Sequence, residues 1–299
     1  MQTQSGFELV ELKGGGRSIR SLAHGETMHI GTNPRTEALV LHIRQQRLRE
    51  RVAEWIAVSP FVIWDIGLGP AGNAITAIEE LRGTTVPVEM HSFEISTEVL
   101  EFALHHAEAL EYLSGWEGVI AQLLEEGEAF PLPNVRWLLH RGDFSKEAAQ
   151  GRLVAHAPSA IFFDPYSPAR NIEMWNLETF RAIWKAVSAP EAPDCLMTNY
   201  TRSTSVRVTM ALGGWFVGTG VATGDKTETT IAANRLELLE RPLDAAWIRR
   251  VRSSTNATPI RGRNEVNGPI SPEDFATLKA LPQFARQVPS TAERAEIVD

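Results

Sequence analysis

From residue 61 onward the spacing of apolar and polar positions switches repeatedly between two periods. Short apolar runs predict strands at 61–66, 86–93, 135–140, 159–163 and 195–199. Between them, stripes of helical period predict helices at 73–81, 96–113, 177–187 and 203–212. Such alternation specifies a parallel sheet covered by helices on both faces. Gly213-Gly214 ends the last helix, and two further strand-like runs, 215–221 and 227–234, flank the turn Thr223-Gly224-Asp225-Lys226. They add an antiparallel hairpin to the sheet and bring it to seven strands.

Upstream, residues 7–31 alternate in short segments and read as a hairpin-like lead-in. Asn33-Pro34 then starts a helix, with Asn33 as cap and Pro34 at the first position. Its stripe, Ala38, Leu41, Leu48, Val52, Trp55 and Ile56, runs up to Pro60. After about residue 252 the chain turns polar and proline-rich. Ser271-Pro272-Glu273-Asp274 starts one short helix through Ala280, and the remainder reads as a surface arm or tail. The expected organisation is a lead-in over 1–60, an α/β domain over 61–252 and an arm over 253–299.

The end of the first strand carries the candidate chemistry. Ile63-Trp64-Asp65-Ile66-Gly67-Leu68-Gly69-Pro70-Ala71-Gly72-Asn73 places a carboxylate near a strand end, then three glycines, then a helix N-terminus. Glycines let such a turn reach positive φ and remove the Cβ atoms that would block a ligand. The spacing Gly67-x-Gly69-x-x-Gly72 also fits a dinucleotide-binding fingerprint. Further acids follow at the ends of the next strands: Glu94, placed to accept hydrogen bonds from both hydroxyls of a ribose, then Asp143 and Asp164. Each acid alone is also a common helix cap or turn former. All four in register with four strands resemble an S-adenosyl-L-methionine (SAM)-dependent methyltransferase of Rossmann-like class I architecture. A dehydrogenase leaves Gly142-Asp143-Phe144 and Asp164-Pro165-Tyr166 without a role, and its fold lacks the terminal hairpin.

Length and charge narrow the partners. With 299 residues the chain can bury a full core. Its net charge of −8 argues against strong non-specific nucleic-acid binding by the whole surface. Arginines crowd 44–51 and 249–263, and both groups read as solvated faces. No apolar run reaches membrane-spanning length and no signal peptide is visible, so a cytoplasmic protein without membrane contact is expected. Cys195, the only cysteine, lies in an apolar run and reads as core. His105-His106 has no partner at ligand spacing, so no metal is expected.

More specifically, the chain resembles the methyltransferase domain of MnmC, which methylates an aminomethyl group on the wobble uridine of tRNA. Four segments carry the likeness. They are Gly25-Glu26-Thr27-Met28-His29 with Glu37-Ala38; Asp65-Ile66-Gly67-Leu68-Gly69 with Asn73; Asp164-Pro165-Tyr166-Ser167-Pro168-Ala169-Arg170-Asn171 with Met174-Trp175; and Asn199-Tyr200-Thr201 with Val206-Arg207 and Gly224-Asp225-Lys226-Thr227-Glu228. The family shows Gly-x-Gly-Thr-Gly-x-Asn where this chain has Gly-Leu-Gly-Pro-Ala-Gly-Asn, so the third glycine is displaced by one. The flavin-dependent oxidoreductase domain fused in some members has no room here.

The resemblance implies SAM as cofactor. Gly67, Leu68 and Gly69 pass under its methionine moiety, within a turn that includes Asp65, Gly72 and Asn73. Glu94, with Ile95 beside it, holds the ribose; Asp143 and Phe144 bind the adenine; Met28 and His29 close over the site. Asp164, at the end of the fourth strand, is the candidate to orient an amine and take its proton. Tyr166 is the candidate to stack on a planar base or shape the pocket. Asp-Pro-Tyr is also similar to the Asp-Pro-Pro-Tyr signature of amino-group methyltransferases. The acceptor is then tRNA or, given the acidic balance, a small molecule or protein. A dinucleotide-binding oxidoreductase or a non-catalytic binding module is the reading from another class.

Overall fold

The apolar run at 61–66 becomes the centre of the sheet in the computed structural model. It describes residues 6–285 apart from 14, 29–32, 57, 154–155, 225 and 264–266. Among the described residues the strands are β1 (Phe7–Glu11), β2 (Arg17–Ser21), β3 (Glu26–Thr27), β4 (Phe61–Ile66), β5 (Val88–Glu94), β6 (Glu128–Leu132), β7 (Val135–Arg141), β8 (Ala160–Phe163), β9 (Leu196–Asn199), β10 (Phe216–Gly220) and β11 (Thr229–Ala233). The helices are α1 (Pro34–Ala38), α2 (Leu48–Ala53), α3 (Gly72–Glu80), α4 (Glu98–His105), α5 (Glu117–Glu126), α6 (Phe144–Ala149), α7 (Leu177–Val187), α8 (Thr204–Leu212), α9 (Ala245–Ser253), α10 (Pro272–Ala280) and α11 (Pro282–Ala285).

The main sheet has the order β10-β11-β9-β8-β4-β5-β7-β6. Strands β10, β9, β8, β4, β5 and β7 share one direction; β11 runs antiparallel between β10 and β9, and β6 runs antiparallel at the opposite edge. The sheet thus has eight strands where the sequence pattern predicts seven. The extra strand, β6, contains Pro131 and a solvent-exposed Phe130, and its pairing shifts register between Ala129 and Leu132. Proline inside a run points away from a strand, and only an edge position tolerates it.

All six residues of β4 are buried, as expected for a strand covered on both faces. Phe61 and Ile63 face a cluster with Ala74, Ile75, Ile78, Met90, Leu100 and Trp137; Val62, Trp64 and Ile66 face one with Phe163, Phe180, Met197, Val206 and Trp247. The chain runs from β4 out to β6 on one side, then returns to β8 on the other. This reversal opens a crevice at the carboxyl ends of β4, β5 and β8, where open α/β sheets bind ligands.

Three appendages depart from the sequence pattern. Strands β1 to β3 form a separate three-stranded antiparallel sheet. The expected continuous helix after Asn33-Pro34 breaks: residues 39–44 form a wider π-type turn, and Arg47 takes φ of 49° before α2. Its polar side chains turn inward, with His42 Nδ1 2.8 Å from Thr198 Oγ1, and Gln46 Nε2 donating to Ile161 O at 3.0 Å. Arg51, expected on a solvated face, donates to Ser159 O and Asp194 O at 2.8 and 2.7 Å. The segment after 252 is no free arm as far as residue 285. Leu278 and Phe284 are buried, Phe284 stacks on Trp247, and Gln283 bonds Val217 and Leu243 through their backbone. Scattered polar residues on α10 hide these anchors from a composition argument.

Candidate active site

Register brings the strand ends level: Ile66 sits opposite Phe93 of β5 and Phe163 of β8. The chain then turns at Gly67, whose φ is 91°. A Cβ there would lie 2.8 Å from Asp164 O, so backbone conformation and the neighbouring loop both demand glycine. The Gly67 and Leu68 N–H groups donate to Phe93 O at 3.0 and 3.3 Å. Gly69, with φ of 53°, has only Met28 Sδ, at 3.8 Å, within reach of a Cβ, so its upper face is open. Its N–H donates to Glu94 Oε2 at 2.9 Å, and Glu94 Oε1 accepts from Ile95 N at 2.9 Å. Burial pushes the Glu94 carboxyl above its ordinary value, against the pull of these backbone donors.

A cavity of about 940 Å³ opens above this turn. Met28, Gly67, Leu68, Gly69, Asn73, Glu94, Ile95, Asp143, Phe144, Asp164 and Tyr166 all line it. Asp65 and Gly72 do not, and His29 lies outside the described residues. Asp65 has no exposed surface; its Oδ2 accepts from Ser92 Oγ at 2.9 Å, and Trp137 Nε1 donates to that same Oγ. Period-2 alternation explains the correction, because Asp65 shares the face of Phe61 and Ile63 and points into the packed core. Gly72 already lies inside α3. The left-handed conformation falls one residue earlier, at Ala71 with φ of 65°, where the MnmC pattern has its third glycine. Asp143 lines the cavity and also caps α6, its Oδ1 accepting from Lys146 N at 3.3 Å.

The wall around Asp164 comes from distant segments. Asn73, nearly fully buried, donates from Nδ2 to Asp164 Oδ2 at 2.8 Å. Tyr200 OH donates to Pro165 O at 2.9 Å, and Trp175 Nε1 donates to Tyr166 O at 2.8 Å. Tyr166 stacks on His24 with ring centroids 4.2 Å apart, and burial pushes its hydroxyl up to about 12. It is therefore a neutral phenol at physiological pH. Glu26 accepts hydrogen bonds from Ser167 N, at 3.2 Å, and from Ser167 Oγ. Lys226 Nζ stands 4.3 Å above the Tyr200 ring. Glu26, Glu37, Tyr200 and Lys226 line the cavity but were given no role from sequence. The available signal was their position inside the strings shared with MnmC.

These residues fit SAM. Open backbone at Gly69 offers a cradle that a side chain would fill, Glu94 presents a carboxylate beside it, and Phe93, Ile95, Val99 and Phe144 supply an apolar wall for a purine. The cavity volume falls in the usual range for small-ligand sites.

Residues 115–235 match a family described as S-adenosyl-L-methionine-dependent methyltransferase. Over that segment, under half of its length, the chain is similar to this family. Its likeness to MnmC has two further supports. The tRNA 5-methylaminomethyl-2-thiouridine biosynthesis bifunctional protein MnmC of Chromohalobacter salexigens is 28% identical over 183 residues, covering 57% of this chain. The chain spans only 25% of that relative's length. The crystal structure of MnmC2 from Aquifex aeolicus shares the fold at 22% identity, with a TM-score of 0.68, over 95% of this chain and 87% of that one. Among the described residues no helix is long and apolar enough to cross a membrane.

Proposed function

We propose that this methyltransferase acts on an aminomethyl group of the wobble uridine of tRNA, with Asp164 orienting the amine and accepting its proton. The observation that carries this reading is the placement of Asp164 in the cavity, held by Asn73 and flanked by Tyr166 and Tyr200. Bound SAM supplies a methyl group on an electrophilic sulfonium. The chain supplies alignment: a neutral amine held in line gains most of its rate from positioning. Asn73 ties down one oxygen of Asp164, which fixes the plane of the carboxylate toward the cavity. An amine is nucleophilic only without its extra proton, and a carboxylate at hydrogen-bond range can take it. Tyr166, kept neutral and stacked on His24, offers a flat aromatic surface to a base. The similarity to MnmC, a tRNA 5-methylaminomethyl-2-thiouridine biosynthesis protein, supports the choice of acceptor.

The charge of the cavity favours a second reading, a small cationic amine or a protein side chain. Among the described lining residues, seven carboxylates face four Lys and Arg cations, and the whole chain carries −8. A polyanion gains affinity from the opposite balance. Nucleoside analysis of tRNA from a deletion strain separates the two. Accumulation of the unmethylated aminomethyl nucleoside supports the tRNA reading, and an unchanged profile discards it in favour of the small acceptor.

A further inference from the structure

We propose that Lys226 is itself a methyl acceptor, modified by the enzyme's own active site. This rests on reading the cavity as the SAM site. The amine of Lys226 lies inside the cavity that also holds Gly69 and Asp164, with Nζ 4.3 Å above the Tyr200 ring. Tyr200 in turn donates to Pro165 O, next to Asp164. The amine is thus one aromatic ring and one hydrogen bond away from the carbonyl of the residue that follows Asp164.

Three features make Lys226 a competent nucleophile. Its backbone is fixed by a tight turn, Thr223 N–H donating to Lys226 O at 3.1 Å and Lys226 N–H to Thr223 O at 2.9 Å. Its four-carbon stem leaves the amine free to sweep the cavity. Burial pulls its ammonium below the usual lysine range, opposed by the nearby acids Glu37 and Asp164, so more neutral amine is present at a given pH. Methylation keeps the positive charge, and the Tyr200 face accommodates a methylammonium as well as an ammonium. The other lysine lining the cavity, Lys146, is exposed and ion-paired to Asp143 at 3.1 Å. It serves as an internal control.

In the step itself, the lone pair of neutral Nζ forms a bond to the methyl carbon as the sulfur–methyl bond breaks. The electron pair stays on sulfur, which leaves as the thioether S-adenosylhomocysteine. The new secondary ammonium gives its extra proton to Asp164 or to water. Such modification places a methyl group at the acceptor end of the cavity, and it competes with the external amine for the same donor.

Peptide mass spectrometry of the full chain tests this, on protein as purified from cells and after incubation with SAM alone, with SAM affinity measured by calorimetry on the same samples. Methyl masses are expected on the Lys226 peptide, rising with SAM, and none on Lys146. Lys226→Arg should bind SAM with unchanged affinity and carry no label. SAM binding without methyl on Lys226, or with methyl elsewhere only, overturns the proposal and leaves the cofactor reading standing. Failure to bind SAM removes both.

Discussion

The glycine turn after β4 and the loop after β8 face one another across the same cavity, yet they are held in opposite ways. The glycine turn is fixed by backbone: its N–H groups donate to Phe93 O and to Glu94, the last residues of the neighbouring strand. The Asp164 loop is fixed by side chains from far along the chain, Asn73 at 91 residues, Tyr200 at 35 and Glu26 at 141. On the proposed reading, N–H groups of the glycine turn tied to the adjacent strand hold the cofactor half, whereas side chains from distant segments assemble the acceptor half. Damage to the first should therefore appear in SAM affinity, and damage to the second in turnover or acceptor KM.

Gly67 is the point where the two halves touch, and Gly67→Val should break both. Its Cβ would meet the Asp164 backbone at 2.8 Å and its φ of 91° disfavours a branched residue. Calorimetry should find no SAM binding, and wild-type affinity in this variant would contradict the placement. Glu94→Ala should separate the halves: SAM binding weakens by roughly tenfold or more, as for loss of a charge-assisted contact, while turnover at saturating SAM changes little. Equal affinity in both proteins would remove Glu94 from the cofactor half. Glu26→Gln should act on the other half, because it loosens the contact with Ser167 without touching the glycine turn. A few-fold rise in acceptor KM at constant SAM affinity is expected; the reverse pattern would place Glu26 with the cofactor.

The smallest effect is on pH dependence. His140 stacks on Phe93 beneath the glycine turn, and burial, with the charge of His91 adding to it, holds its pKa down to about 4 from 6.5. The unfolded chain therefore binds a proton that the native state refuses between those values. Its contribution to stability is full above pH 6.5 and falls as pH drops toward 4. Denaturant titrations across that window should show a slope that flattens in His140→Gln. An identical slope in the variant would assign the acid sensitivity to other groups.

The same contrast explains what could be read from sequence. Parallel strands buried on both faces produce continuous apolar runs, so β4, β8 and β9 were legible nearly to the residue, and so was α7. The glycine turn and Glu94 sit beside those runs and were legible with them. Pro131 obscured β6, and the predicted helix at 96–113 ends at His105, short of Glu111 with φ of 38°. Helix α5 carried no strong signal at its start, where Trp116 provides no capping side chain. Glu26, Glu37 and Lys226 gain their place only through folding of the N-terminal sheet, the first helix and the β10–β11 hairpin onto the crevice. Apart from the strings shared with MnmC, nothing local to them encodes that encounter.

Asp164→Asn tests the central claim most directly, because the amide preserves an acceptor for Asn73 Nδ2 and removes only the capacity to take a proton. The measurement pairs calorimetry of SAM binding with single-turnover methylation of tRNA bearing the aminomethyl nucleoside. The account predicts SAM affinity close to wild type and a rate lowered on the order of a hundredfold or more. An unchanged rate, or a loss explained entirely by weaker SAM binding, would contradict it.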